Sequence, residues 1–286
     1  MKRVVVCVCS YLIFAATFLV ASSFNVVSGG ETVISNNETN IENYISTLYN
    51  EIDFTKSERL SYEVFNKAYR GYMNLRNASK LNTDKEIITI CNFNLPSTEN
   101  RLWIIDLAKK KVLFNTFVAH GAGSGDDCSL SFSNNANSHK SSLGFYVTGD
   151  TYDGEHGTSL HLSGMDEGFN DAAYDRGIVV HGADYVSSKF ISAKQRLGRS
   201  WGCPAVPAKL SLPLINTIKN GTCLFIYYPD TKYLLSSYWV NKKITNLPGN
   251  GIYESVLEQE VNSKEQEIQN LYNGKTDSVQ VVSVAQ

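Results

Sequence analysis

The sequence predicts a mainly β domain flanked by helices, which is an α+β fold. Between Glu86 and Pro229, short runs rich in β-branched and aromatic residues alternate with Gly, Asn, Asp and Ser, a pattern typical of short strands joined by turns. Before this stretch apolar residues recur at helical spacing, and a second helical pattern follows it. We therefore expect a β domain with long polar loops, a small helical N-terminal layer and a helical C-terminal tail.

Seven runs in the central stretch predict the strands of a mostly antiparallel sheet. They read EIITICNF, RLWIIDL, KVLFNTFVAH, GFYVTGD, TSLHLSG, GIVVHGA and CLFIYYP. In DLAKKKVLF, charged residues separate two apolar runs, which predicts a hairpin. The polar segments 121–142 and 149–176 predict long loops, and the predicted β domain spans 86–229.

The segments on either side of the β domain predict helices. Residues 38–85 predict two helices that pack as an N-terminal layer, and Ser57 is the expected N-cap of the second helix. Beyond the β domain, YESVLEQEVNSKEQEIQNLY has helical spacing. Residues 230–286 are therefore expected to form a helical or disordered tail.

The first segment of the chain indicates export. Residues 1–23 combine two basic residues, a long apolar run and small residues at the end, as secretory signal peptides do. An uncleaved membrane anchor is the alternative, and it would be the protein's only contact with a membrane. Residues 24–37 are interpreted as a linker.

Composition excludes one class of partner. The net charge is -2 and the charged fraction 19%, so the chain lacks the basic stripe that nucleic-acid binding requires. No repeat at a fixed period is present. We expect a monomer that does not bind nucleic acid.

Four cysteines follow the first segment: Cys91, Cys128, Cys203 and Cys223. Cys91 and Cys223 lie in strand-like runs, where a buried cysteine serves as a small hydrophobe. A disulfide between these two is the alternative, since exported proteins often pair their cysteines. Cys128 lies in a loop and has no assignable role.

Cys203 stands in the stiff segment RSWGCPAVP. Gly202 removes a side chain just before the thiol, so the neighbouring N–H groups could approach a substrate carbonyl, and Pro204 fixes the exit from the loop. A nucleophilic cysteine needs a base, and His181 is the best of five histidines because it ends the run GIVVHG. Gly182 would turn the backbone there, leaving the imidazole at the sheet rim. We expect an imidazolium at this position to lower the pKa of the thiol.

The other histidines have ordinary interpretations. His120 ends a strand and either lines the cleft or is a polar strand end, and His139 lies in a polar loop. His156 and His161 are five residues apart with Asp153 near them, but this is no strong metal spacing and no CxxC or HExxH accompanies it. We therefore expect no metal and no cofactor.

The segment IVVHGADYVSS…GRSWGCPAVP resembles the signature of the murein L,D-transpeptidase (YkuD-like) family, most closely its SWGCP branch. SHKSSLGFYVTG resembles an upstream element of the same family, and RLWIIDLAKKKVLFNTFVAHG fits its entry strands. The resemblance covers about 60–229. It implies an L,D-transpeptidase-like β-sandwich or barrel, a location in the periplasm or cell envelope, and peptidoglycan stem peptides as partners.

The resemblance also implies roles for residues. Cys203 would be the nucleophile and His181 its general base, with backbone N–H groups around Trp201–Cys203 forming the oxyanion hole. The residues expected to bind the oxyanion or the substrate are Gly202, Trp201, Ser200, Gly182, His120 and Arg199.

Two positions depart from the family's pattern. Trp201 stands where many members have histidine, and Ala205 stands where they have a basic or amide residue. A substrate contact made by those side chains is therefore absent or comes from elsewhere. Arg199, Arg176 and Lys140 are the candidates, and each is otherwise an ordinary surface charge.

The implied function is an exported L,D-transpeptidase. The Cys203 thiolate would attack the carbonyl of the third stem residue and expel the terminal D-alanine, and an amine would resolve the thioester into a 3→3 cross-link. Resolution by water would make the protein an L,D-carboxypeptidase. A wall-binding protein with a degenerate site is a further alternative. A sortase-like transpeptidase would need an arginine on a strand after the cysteine, whereas the next basic residue here is Lys209.

Overall fold

The computed structural model describes the backbone of residues 31–247 and the side chains from residue 38. The predicted signal peptide or anchor, residues 24–30 of the linker and the tail beyond 247 lie outside the described residues. The chain divides into two compact units, Met1–Thr39 and Asn40–Gln286. Of the first unit, the structure describes only the start of a helix.

The described part contains six α-helices and eight β-strands. The helices are α1 (Glu31–Glu51), α2 (Tyr62–Asn77), α3 (Ser188–Lys194), α4 (Ala208–Ile218), α5 (Thr231–Ser236) and α6 (Tyr238–Asn241). The strands are β1 (Ile87–Asn92), β2 (Leu102–Asp106), β3 (Lys111–Thr116), β4 (Gly144–Gly154), β5 (Gly157–Gly164), β6 (Val179–Ala183), β7 (Ala205–Pro207) and β8 (Cys223–Tyr227). Within these residues, no helix is long and apolar enough to cross a membrane.

The strands form one sheet in the order β3-β2-β1-β8-β4-β5-β6-β7. The pairs β1–β8 and β6–β7 are parallel and the others antiparallel. After β3 the chain crosses to the opposite edge, where the Ala119 N–H donates to the Ala205 carbonyl at 2.8 Å. This contact nearly closes the sheet into a barrel, and the predicted mainly β fold with flanking helices is confirmed.

Helix α2 covers the sheet with an aromatic face. Phe65, Tyr69 and Tyr72 on this helix are buried, as the spacing of three and four residues requires. Beneath the helix, the rings of Phe145 and Phe225 stack with centroids 4.1 Å apart. Full burial of one such aromatic side chain contributes about 1.5–3 kcal/mol, so this layer is a principal source of stability.

Two predicted helix boundaries are wrong. Helix α1 begins at Glu31, so residues 31–37 of the predicted linker are helical. Helix α2 is capped by Ser61, whose hydroxyl accepts the Val64 N–H at 3.4 Å. Ser57 does not serve as the cap because it belongs to a preceding turn, where its N–H donates to the Phe54 carbonyl.

The second predicted loop, 149–176, is wrong over its first part. Strands β4 and β5 pair as far as Gly154 and Gly157, so residues 149–164 form the outer arms of a hairpin. The run TSLHLSG, predicted as a strand, forms β5, so the prediction fails over residues 149–157. Most of these residues are exposed, and an exposed strand lacks the apolar alternation of a half-buried one.

The residues after β8 dock onto the sheet through a buried carboxylate. Asp166 accepts hydrogen bonds from the Phe145 N–H at 2.7 Å and from the Ser237 hydroxyl at 2.6 Å. The Tyr233 hydroxyl donates to the same carboxylate at 3.3 Å. Residues 231–241 of the predicted tail are therefore helical, as α5 and α6, and packed.

The alternative disulfide between Cys91 and Cys223 is not formed, since both are buried free thiols. Cys223 pairs with Ile88 across the parallel strands, and Cys91 pairs with Ile226. The two cysteines are thus offset by three residues, roughly 10 Å along the strands. A disulfide requires Cα atoms within about 7 Å, so the register forbids it.

Candidate active site

The predicted nucleophile lies in a tight loop between α3 and β7. Gly202 has φ +126°, a conformation that favours glycine. A Cβ atom at this position would lie 2.8 Å from the Lys140 carbonyl oxygen. Glycine therefore allows the loop that carries Cys203 to pass against Lys140.

Ser200 fixes the shape of this loop. Its hydroxyl accepts the Gly202 N–H at 3.1 Å and donates to the Cys203 carbonyl at 2.6 Å. The Ser141 hydroxyl donates to the Gly202 carbonyl at 3.1 Å. Because the Gly202 N–H is already bonded, it is not available to an oxyanion as predicted. The N–H groups of Trp201 and Cys203 remain as candidates.

Strand pairing brings His181 beside the loop. His181 pairs with Ala205 in the parallel β6–β7 ladder. Cys203 lies two residues before Ala205, at the end of the loop that leads into β7, so this pairing brings the loop to the strand that carries His181. In the described residues, no hydrogen bond joins the two side chains. The Cys203 thiol instead donates to the Gly177 carbonyl at 3.7 Å.

The tautomer of His181 follows from its hydrogen bond. Nδ1 lies 3.0 Å from the Gly182 carbonyl oxygen, and a carbonyl only accepts, so Nδ1 carries the proton. Nε2 is then left with a lone pair, as a general base requires. Burial is the main cause that lowers the pKa of His181, with a smaller contribution from His156, so the ring is neutral near pH 7.

His181 does not lie at the sheet rim as predicted. It is the middle residue of β6 and is 3% exposed, because β7 pairs alongside and continues the sheet. Gly182 is likewise a strand residue and not a turn. A Cβ atom at Gly182 would lie 2.6 Å from the Ser211 hydroxyl, so this glycine allows α4 to pack against the sheet.

The environment of Cys203 opposes the predicted low pKa of its thiol. Burial is the largest effect and raises the pKa. The N–H groups of Val179 and Cys203 and the charge of Arg176 act in the opposite direction but do not overcome it. A neutral thiol beside a neutral imidazole therefore describes the resting site, and the proton would move during attack.

His156 is a site residue that the sequence does not reveal. It lies at the turn between β4 and β5, and its ring stacks on that of His181 with centroids 4.4 Å apart and planes inclined by 19°. Its spacing from His161 suggested only a weak metal motif. His161 instead contacts Asp150, with Nδ1 2.9 Å from the carboxylate. Within residues 38–247, no three His, Cys, Asp or Glu side chains are placed to hold a metal ion.

His120 does not line the cleft. It is fully buried, and its Nδ1 lies 2.7 Å from Nη2 of Arg101. A guanidinium only donates, so Nδ1 accepts and Nε2 carries the proton. Burial, and then the charge of Arg101, lower the pKa of His120 to about 3. This pair is part of the interior.

Two other predicted site residues have defined places. Arg199 donates to the Gly125 carbonyl at 2.8 Å and forms an ion pair with Asp126 at 3.2 Å. It therefore braces the loop after residue 121 and is not directed at Cys203. Trp201 is 75% exposed and stacks on His139, with ring centroids 4.7 Å apart. Its exposed ring, two residues from Cys203, remains available to a ligand.

Several solved structures are similar to this chain. An L,D-transpeptidase from Mycobacterium smegmatis is 9% identical, with a TM-score of 0.32, and the match covers 50% of this chain and 59% of that chain. For L,D-transpeptidase 1 of Mycobacterium tuberculosis the identity is 10%, the TM-score 0.30 and the coverage 50% and 62%. An L,D-transpeptidase from Xylanimonas cellulosilytica is 11% identical, with a TM-score of 0.29, and the match covers 66% of this chain and 93% of that chain. The chain thus matches about three fifths of the length of the two mycobacterial proteins.

A family model also matches the chain. No curated protein matches the chain in sequence. Residues 56–227 match the model YkuD_2, described as the L,D-transpeptidase catalytic domain. The SWGCP branch and the roles of individual residues stay predictions. Since the family model matches more than half of its length, the chain belongs to the L,D-transpeptidase catalytic domain family.

Proposed function

We propose that this protein is an exported L,D-transpeptidase that acts on peptidoglycan stem tetrapeptides through a thioester on Cys203. The observation that carries the proposal is the placement of Cys203 and His181. His181 pairs with Ala205, two residues after Cys203, and the hydrogen bond from Nδ1 to the Gly182 carbonyl leaves Nε2 of His181 as the unprotonated ring nitrogen. Membership of the L,D-transpeptidase family supports the same reaction class.

The first half-reaction forms the thioester. Nε2 of His181 takes the thiol proton while the sulfur attacks the carbonyl carbon of the third stem residue. The carbonyl oxygen becomes an oxyanion, which the N–H groups of Trp201 and Cys203 would stabilise. Removing one such donor typically lowers kcat about 10²–10³-fold. When the tetrahedral intermediate collapses, the C–N bond breaks and the imidazolium protonates the departing D-alanine amine.

The second half-reaction releases the enzyme. An amine from another stem attacks the thioester carbonyl, and Nε2 of His181 accepts a proton from it. The C–S bond then breaks and the thiolate regains the proton, leaving a 3→3 amide cross-link. Water in place of the amine would yield a free carboxylate, which is the L,D-carboxypeptidase reaction of the same site.

A non-catalytic wall-binding protein is the second candidate. Two observations favour it: burial raises the pKa of the Cys203 thiol, and no hydrogen bond joins Cys203 to His181 within residues 38–247. A binder would retain the cleft and the exposed Trp201 without forming an acyl enzyme.

The test is incubation of the protein lacking residues 1–23 with disaccharide tetrapeptide. We expect release of D-alanine and an acyl adduct on Cys203 in intact-mass spectra, both lost in Cys203→Ala. Cys128→Ala, which removes another partly exposed thiol, is the matched control and should behave as wild type. Binding without adduct or D-alanine would support the wall-binding candidate, and turnover of pentapeptide alone would contradict the L,D assignment.

A further inference from the structure

Arg176 lies against the nucleophile loop although it is distant from Cys203 in sequence. Its Nη2 donates to the Lys140 carbonyl at 2.8 Å, the same oxygen that borders Gly202. A Cβ atom at Gly202 would lie 3.4 Å from Nη2. The next residue, Gly177, provides the carbonyl that accepts the Cys203 thiol. The guanidinium is therefore adjacent to the segment that carries the sulfur.

The other hydrogen bonds of Arg176 go to neutral groups. Nη1 donates to the Ser133 carbonyl at 2.8 Å and to the Ser142 hydroxyl. Nη2 also donates to the Ser138 hydroxyl at 3.3 Å. Nε is buried without a hydrogen-bond partner. These contacts hold the loop 131–142 in place without neutralising the charge.

The positive charge of Arg176 has no carboxylate partner. Within residues 38–247, no Asp or Glu oxygen lies within 4.0 Å of its guanidinium. By contrast, Arg76, Arg196 and Arg199 each form an ion pair with a carboxylate. A partly buried cation without a counter-ion stabilises an anion that forms beside it, since water screens such a pair weakly.

We propose that Arg176 is a positioning residue for Cys203, whose unpaired charge favours the thiolate and whose hydrogen bonds hold the loop 131–142 against Gly202. This inference rests on the proposed function only in so far as that thiolate is the attacking species. The residue acts through the sulfur and is not required to touch the substrate.

The groups around the sulfur support this role. The charge of Arg176 lowers the pKa of Cys203 against the larger effect of burial. The Val179 N–H also acts on the thiol. Tyr185 is in turn affected by the thiol, although burial is the main cause that raises the pKa of Tyr185 to about 12. His181 lies on the neighbouring strand, with His156 stacked on it. Among the groups that act directly on the sulfur, Arg176 alone is a cation at neutral pH.

The experiment is the pH dependence of Cys203 alkylation by iodoacetamide, followed by intact mass, which does not require turnover. Arg176→Gln removes the charge but keeps donors for a carbonyl, whereas Arg176→Lys keeps the charge and loses the planar fork. An opposite charge within about 4–6 Å typically shifts a pKa by about one unit or more. We expect Cys203 in the Gln variant to be alkylated about tenfold more slowly at pH 7, and the pH midpoint of its alkylation curve to lie about one unit higher. The alkylation rate of the Lys variant should remain within about threefold of the wild-type rate.

Two controls separate charge from structure. Ser142→Ala removes a hydrogen-bond partner of Arg176 while keeping its charge, and should leave the midpoint unchanged. Lys194→Met removes an exposed positive charge on α3 and should also leave it unchanged. Far-UV circular dichroism would establish that each variant is folded.

The outcomes are distinct. A Gln midpoint equal to that of wild type, or equal shifts in the Gln and Lys variants, would overturn the inference. If the Gln variant does not fold, the test rests on the Lys variant. An alkylation midpoint near that of wild type supports the role of the charge, and a midpoint one pH unit higher overturns it. Failure of the proposed function would appear separately, as absence of D-alanine release by wild type with the alkylation shifts intact.

Discussion

His156 stacks on His181, with ring centroids 4.4 Å apart and planes inclined by 19°. One ring is exposed at a hairpin turn and the other is buried in the middle of β6. The contact places a second titratable ring on the proposed base, where its charge affects whether that base is protonated. In the proposed reaction, this hairpin would therefore influence proton transfer.

The first prediction concerns that pair. The charge of His156 contributes to lowering the pKa of His181, so removing it should raise this pKa. In His156→Phe, which keeps a stacked ring, the acid limb of kcat/KM for D-alanine release should move to higher pH. His156→Ala should show the same displacement together with lower turnover, because the imidazole of His181 also loses its packing. Superimposable pH profiles for wild type and His156→Phe would contradict the inference that the charge of His156 lowers the pKa of His181.

The second prediction distinguishes the role of His181 as a general base from the ionisation of the Cys203 thiol in the resting site. His181→Ala should lower turnover by about 10²–10⁴-fold, the usual contribution of a general base. Its Cys203 alkylation curve should nevertheless remain close to that of wild type, because the thiol is bonded to Gly177 and not to His181. His181→Asn is the matched variant, since an amide can donate to the Gly182 carbonyl but cannot accept a proton. Full turnover by the Asn variant would exclude His181 as the base.

The third prediction tests the packing of α2. Glycine to alanine in a helix usually stabilises by about 1 kcal/mol. At Gly71 an added methyl group would overlap the Phe145 ring, so Gly71→Ala should instead lower the free energy of unfolding in urea by about 1–3 kcal/mol. Phe145→Leu in the same chain should recover part of this loss, and a double-mutant cycle would measure the coupling. Additive effects would show that the contact is not tight.

The fourth prediction is a loss of stability in acid. The pKa of His120 is lowered to about 3 in the folded protein, chiefly by burial, whereas the unfolded chain titrates near 6.5. Between these values the unfolded state binds more protons, so the free energy of unfolding should fall as the pH decreases from about 6.5 towards 3. The pKa of His181 is lowered too and adds in the same direction.

Urea denaturation at pH 7, 5 and 4 would measure that dependence. His120→Asn keeps an acceptor for Arg101 and an N–H donor but does not titrate, so its stability should decrease less steeply with acid. If the free energy of unfolding falls equally steeply with pH in this variant and in wild type, His120 is not the cause of the acid sensitivity.

The sequence predicts most of the sheet because its strands carry strong local signals. Runs such as EIITICNF and CLFIYYP are β-branched and aromatic, and they became β1 and β8. The Cys203–His181 pair is predicted mainly from the resemblance of the HG and SWGC elements to a family signature, and its catalytic role stays a prediction. Strand β7 escaped prediction because three residues, Ala205–Pro207, form a strand only through pairing with β6.

Other features depend on contacts between distant segments. His156 reaches His181 through the fold of a hairpin whose polar arms resemble a loop. Arg176 is one charged residue among many in the sequence, and only the structure shows that its partners are carbonyls and hydroxyls. Serine is a common N-cap residue, but Ser57 belongs to a turn before the helix, and Ser61 caps α2 instead.

The position of β8 has a consequence for how the molecule is made. Strand β8 is the last in sequence of the strands that the structure describes, but it lies between β1 and β4. During synthesis, β1–β3 and β4–β6 can form two separate antiparallel sheets, and each presents an open edge until residues 223–227 arrive. Joining them requires contacts distant in sequence, which slow folding. Completion of the barrel thus awaits the synthesis of residues 223–227, and a polypeptide truncated before β8 would expose both edges to pairing with other chains.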